Sequence, residues 1–178
     1  MSLSPPVDRQ PIHSRHVICE GYRRDDGLWD IEGRIRDTKA YEFTTQARGL
    51  IPVGEPIHEM VVRITIDDEF VIRQAEAVTE YAPYPVCGDV APDFAALVGL
   101  RLGAGFRRQL IDRVGGLKGC THLVELMGPI ATTAFQTVFP LVHHHAVDGR
   151  RPGIIDQCHA LAADGPIVAR QWPQHAKR

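Results

Sequence analysis

The chain has 178 residues, 44% of them hydrophobic and 24% charged, an ordinary globular composition, long enough to bury roughly 70% of its unfolded surface in one core. Twenty basic and 22 acidic residues give a net charge of -2 with no cationic block, so nucleic acid and anionic membrane are not expected partners. No run of ~18 consecutive apolar residues excludes a membrane-spanning helix from the expectations.

Cys19, Cys87, Cys120 and Cys158 are widely separated and form no C-x-x-C pair, which favours reduced thiols in a cytoplasmic protein. The N-terminus lacks an apolar signal-peptide core, and residues 1–15, with prolines at 5, 6 and 11, read as an extended arm ordered by packing on a partner subunit. A homodimer is the expected assembly, and residues 16–178 are expected to form a single domain.

HVICEGYRR and LWDIEGRIRDT alternate and flank Asp26-Gly27, the dipeptide favoured in tight hairpin turns. A two-residue turn pairs Arg24 with Trp29, Arg23 with Asp30, Tyr22 with Ile31 and Ile18 with Ile35. Ile18, Tyr22, Trp29, Ile31 and Ile35 then form the core face. Residues 39–58 show no clean period and read as a long loop that delivers His58 to a strand whose Met60, Val62, Ile64 and Ile66 alternate towards the core. Phe70 to Tyr81 reads as a further strand, with Gln74, Glu76 and Glu80 facing water or lining a cavity.

Helices follow over Pro92–Leu100 and Phe106–Val114, the second stopped by Gly115-Gly116. The most apolar helix spans Gly119 to Phe139. Its Leu123, Leu126, Met127, Ile130, Ala134 and Val138 make one core stripe, and His122, Glu125, Pro129, Thr132 and Gln136 make a polar line on another face. Pro129 is expected to kink it, and Pro140 either to stop it or to kink it again. The tail IIDQCHALAADGPIVARQWP is expected to close over the sheet as a short helical or extended segment. Strands first and helices second, without βαβ alternation, make the fold α+β: an antiparallel sheet of hairpins packed against C-terminal helices, one of them long and kinked.

The candidate chemistry centres on His122 and Glu125, which a spacing of three places on one helix face, as two metal ligands or as a histidine oriented by a carboxylate. Cys120, near the helix N-terminus, is either a thiol with a lowered pKa or inert packing. His143, His144 and His145 point around a helix and are read as a solvated end. Tyr22, Tyr41, Tyr81 and Tyr84 offer phenol donors, and Arg23 offers a carboxylate clamp unless Asp30 already pairs with it. There is no GxGxxG, GxxxxGK[ST], GxSxG or HExxH, which removes the usual support for dinucleotide, triphosphate, serine-hydrolase and zincin readings.

GYRRDDGLWDIEGRIRDTK, GEPIHEMVVRITID, YPVC, GCTHLVEL with TTAFQT, and CHALAADGPIVAR together resemble the bacterial family known as domain of unknown function 2889, from about His16 to Trp172. The resemblance implies a place beside aromatic-compound breakdown, including removal of a side-chain hydroxymethyl group as formaldehyde. The expectation is a small cytoplasmic lyase of aromatic or lignin-fragment catabolism, acting on a small aromatic substrate by general acid-base chemistry. The base is expected to be His122 or His58, oriented by Glu125 or Glu76, with Tyr22 and Tyr81 as further catalytic candidates. Arg23, Trp29, Tyr84 and His159 are the expected substrate contacts. The chemistry needs either no cofactor or one divalent ion, zinc or iron, held by His58, His122 and Glu125. The alternatives are a non-catalytic binding or accessory module of the same pathway and a metal-dependent hydrolase or thioesterase.

Overall fold

A computed structural model describes residues 3–143 and 151–177. Two compact units divide the chain, one ending at Val138 and the other beginning at Phe139.

The first unit is built on a four-stranded antiparallel sheet, in the order β1 (His13–Arg23), β2 (Trp29–Lys39), β5 (Pro56–Ile66) and β6 (Ile72–Tyr81). β3 (Phe43–Thr45) and β4 (Gly49–Ile51) form a small hairpin within the expected long loop, and its Ile51 is fully buried. α1 (Phe106–Val114) and α2 (Thr121–Val138) follow, with α2 lying against β1, β2 and β5. The fold is α+β, an antiparallel sheet with helices after it.

Alternation decides which sheet face α2 covers. Trp29, Ile31 and Ile35 of β2 and Met60, Val62, Ile64 and Ile66 of β5 are all buried, as are Leu123, Leu126, Met127, Ile130, Ala134 and Val138 of α2. Each such aliphatic side chain contributes about 1.5–3 kcal/mol when fully buried. Two glycines let the helix approach: a Cβ on Gly33 would stand 2.6 Å from Ile130 Cγ1, and one on Gly21 would stand 2.0 Å from Thr137 Oγ1. Pro129 is accommodated inside α2. The α-helix ends at Val138, and Phe139–His143, which include Pro140, take π-helical geometry.

The first hairpin differs from its expected register by one residue. Arg23 pairs with Trp29, Tyr22 with Asp30, Ile18 with Arg34 and Val17 with Ile35. Asp25 to Gly27 form a three-residue loop, closed by Arg24 N–H to Leu28 O at 2.9 Å, and Asp26 uses its carboxylate to accept from Leu28 N–H. Of the Asp-Gly pair only Gly27 has positive φ, so the turn is not the tight two-residue type. Because side chains alternate, the slip turns all of β1 over. Ile18 and Tyr22, expected in the core, are 57% and 45% exposed on the outer face. β1 also starts at His13, three residues earlier than expected, which makes His13 and Arg15 strand residues.

The second unit holds α3 (Pro166–Gln171) and a small core of Ile155, Ala163 and Val168, against which Trp172 and Ala176 pack. His144 and His145 lie outside the described residues, as does the side chain of His143.

Candidate functional site

At one end of the sheet the start of β1, the end of β2, the start of β5 and the first turn of α2 converge. β2 supplies Asp37. It continues the inward series Trp29, Ile31, Gly33, Ile35, so the strand's pleat drives a carboxylate to the core side, where it is only 1% exposed. An unpaired charge there would be costly, and the neighbours are arranged accordingly. Arg15 of β1, opposite Asp37 in the register, donates from Nε to Oδ1 and from Nη2 to Oδ2, both at 2.8 Å. His13 Nε2 lies 3.5 Å from Oδ1.

Two imidazoles complete the centre. His58, across the β2–β5 ladder from Asp37, holds Nδ1 3.0 Å from Asp37 Oδ2. His122, in the first turn of α2, holds Nε2 3.9 Å from the same oxygen. Their rings lie nearly against each other, with centroids 3.9 Å apart and planes inclined by 32°. On the far side of the His122 ring, Nδ1 is 3.8 Å from the Cys120 thiol, which itself sits 3.9 Å from Met60 Sδ.

The charges follow from this packing. Burial pushes the Asp37 carboxyl upward, but the Arg15 hydrogen bonds and charge, with those of His58, outweigh it and leave it below the ordinary carboxylate value. Burial lowers the pKa of His58, and the adjacent His122 lowers it further against the opposing pull of Asp37. For His122 burial comes first and the Arg15 charge second, again giving a net lowering. The centre therefore pairs an ionised carboxylate with two imidazoles that keep their lone pairs near neutral pH. Asp37, His58 and His122 each offer one donor atom within 4.8 Å of the others, a set able to hold a metal ion.

Sequence spacing suggests Glu125 as the carboxylate at His122. In the fold Glu125 is 57% exposed and accepts from Arg15 Nη1 at 3.1 Å, so it reaches the centre through the arginine, while Asp37 is the carboxylate beside the imidazoles. Glu76 lies on the opposite sheet face, bonded to Arg63 Nε at 2.8 Å. Tyr22 is on that outer face too, donating to Glu20 at 3.0 Å. Tyr81 pairs opposite Glu59, with the Arg48 guanidinium 5.2 Å from its ring centroid. Trp29 is a core residue whose Nε1 donates to Asp68 Oδ1 at 2.9 Å, and Arg23 lies over its ring at the far end of β2 from Asp37. Arg24, rather than Arg23, pairs with Asp30. Tyr84 is exposed beside a short 3-10 turn, and His159 belongs to the second unit. The residues missed at the sequence level are Asp37, Arg15 and His13. Asp37 has a legible signal, a charge at a core-facing position of an alternating strand, whereas Arg15 and His13 fall in the stretch whose prolines read as an extended arm.

Fold and site define an α+β protein with a buried carboxylate and an imidazole pair at one end of its sheet. The chain belongs to the family described as Protein of unknown function (DUF2889), whose match runs over residues 13–136. That span contains every residue of the centre and stops before the CHALAADGPIVAR block. No curated protein and no solved structure matches the chain. Among the described residues no helix is long and apolar enough to cross a membrane.

Proposed function

We propose that this chain is an enzyme that moves protons at a small substrate, most concretely a lyase that releases formaldehyde from a hydroxymethyl group. The observation that carries the reading is the 3.0 Å contact between His58 Nδ1 and the buried Asp37 carboxylate, with a second imidazole tilted against it at 3.9 Å between centroids. A carboxylate that accepts a hydrogen bond from His58 Nδ1–H leaves Nε2 as the basic nitrogen, the arrangement of an oriented general base.

In the proposed reaction His58 Nε2 takes the hydroxyl proton. The C–O bond becomes the carbonyl of formaldehyde, and the C–C bond breaks with its electron pair going to the carbon left behind. A proton delivered through the imidazole pair completes that carbon, so R–CH2OH yields R–H and formaldehyde. Asp37 holds the base, and Arg15 holds Asp37. Glu125, bound to the exposed side of Arg15, acts on the centre through that arginine.

The same proposal takes a small aromatic substrate, with a role in aromatic or lignin-fragment breakdown, and a cytoplasmic homodimer as the working form. Support for the substrate class is the resemblance of the sequence blocks, and the balanced surface charge supports a small molecule over nucleic acid.

The test is incubation of purified chain with phenols carrying hydroxymethyl side chains, reading formaldehyde and the shortened product together. Equal amounts of both are expected, with kcat reduced roughly 10²–10⁴-fold in His58→Ala. Absence of formaldehyde across the panel, or full turnover in both His58→Ala and His122→Ala, would defeat the reading.

A further inference from the structure

The geometry points to a second capacity of the same centre: Asp37, His58 and His122 form a binding site for one first-row divalent cation of the zinc class, whose occupancy excludes the Asp37–His58 hydrogen bond. The inference does not depend on the lyase reading, because it concerns which atoms an ion would take and not which bond is broken.

The distances support three ligands on one ion. Nitrogen and oxygen ligands bind zinc at about 2.0–2.2 Å, so two of them on one ion stand about 3 Å apart at a right angle and no more than about 4.2 Å apart. His58 Nδ1 and His122 Nε2 lie 3.0 and 3.9 Å from Asp37 Oδ2, within that range. One donor atom of each residue falls within 4.8 Å of the other two, so a modest closure of the imidazoles brings all three residues onto one ion. Two imidazoles and one carboxylate also match the donor preference of zinc and iron(II) over calcium or magnesium.

The surroundings match as well. His122 presents Nε2 to the carboxylate and Nδ1 to the Cys120 thiol 3.8 Å away, so the sulfur serves as the outer partner that fixes the ring. That places Cys120 behind the imidazole and not among the ligands. Arg15 takes one lone pair from each Asp37 oxygen, and Oδ2 keeps a second for an ion. Glu125 at 3.1 Å offsets the guanidinium charge, limiting its repulsion of a cation. Because His58 Nδ1 cannot both donate to Oδ2 and coordinate a metal, binding moves the ring proton to Nε2 and removes the oriented base.

The test uses the full chain, stripped with chelator and dialysed, titrated calorimetrically with zinc and spectroscopically with cobalt(II). One ion per chain is expected, with affinity at least tenfold weaker in His58→Ala and in His122→Ala. The cobalt spectrum should lack a thiolate charge-transfer band and should be unchanged in Cys120→Ser. Circular dichroism checks that each variant is folded, and His122→Gln replaces any that is not. No saturable binding, undiminished binding in both histidine variants, or a thiolate-dominated spectrum would overturn the site. Any formaldehyde release should fall as zinc is added, and activation by zinc would overturn the exclusion. Zinc binding without turnover on any substrate keeps the site and removes the lyase, whereas turnover without binding does the reverse.

Discussion

The Arg15 guanidinium forks onto the Asp37 carboxylate with both contacts at 2.8 Å, joining the first strand to the second at the sheet end where both imidazoles stand. Asp37 is almost wholly buried and Arg15 is not, so the arginine is the side of the pair that mutation can remove without opening the core. Arg15→Ala leaves a buried carboxylate short of two donors, with His58 as its closest remaining partner. A loss on the order of 2 kcal/mol is expected, the range for stranding a buried polar group. Urea unfolding would show a lower midpoint at unchanged slope, and an unchanged midpoint would mean that Asp37 is held by other means.

The imidazoles predict the acid limb of stability in metal-free protein. Both have folded-state pKa values below the ordinary 6.5, so between the folded and unfolded values the unfolded chain binds more protons. Their contribution is complete above about pH 6.5, declines as pH falls from there through the folded values, and is then constant. Asp37, also lowered, adds a second loss only below its unfolded value near 3.8. Unfolding curves at stepped pH should show the first decline in wild type and a smaller one in the His58→Gln, His122→Gln double variant. An equal decline in both would assign it to other groups.

Two glycines under α2 predict an overpacking cost. Gly21→Ala places a methyl 2.0 Å from Thr137 Oγ1, and Gly33→Ala places one 2.6 Å from Ile130 Cγ1. Each is expected to destabilise by about 1–3 kcal/mol through displaced side chains. Gly88→Ala, with open space around its Cβ, is the control and should leave the melting temperature unchanged. Equal melting temperatures for all three variants would mean that α2 does not approach the sheet this closely.

The register of the first hairpin separates core from surface. Tyr22→Phe and Ile18→Ser alter the outer face and should each change stability by less than about 0.5 kcal/mol, whereas Ile31→Ala, at a fully buried position, should cost about 2–5 kcal/mol. Thermal unfolding of the three variants checks this, and a large loss in Ile18→Ser would restore the alternative register. Glu76→Gln, across the sheet from the centre, should leave any turnover intact.

Much of the architecture was legible because periodicity is a local property. The stripe from Leu123 to Val138 and the alternation of Met60, Val62, Ile64 and Ile66 each follow from one backbone geometry and need no knowledge of the partner. The same rule, carried two residues past Ile35, reaches Asp37. The hairpin was harder. Asp-Gly announces a turn but not its length, and one extra loop residue inverts the face of the whole preceding strand.

By itself the sequence determined the fold class, the helix that covers the sheet and the two histidines worth watching, since each rests on residues near one another in the chain. Only the tertiary structure decided which carboxylate serves them. Glu125 is three residues from His122, yet its side chain turns to solvent and Arg15, while Asp37, 85 positions before His122 in the chain, meets both imidazoles. Strand pairing brings β1, β2 and β5 into register, and α2 docks its first turn onto their ends. The contacts that orient the centre are therefore made by the register of the sheet, a long-range property that no local spacing encodes.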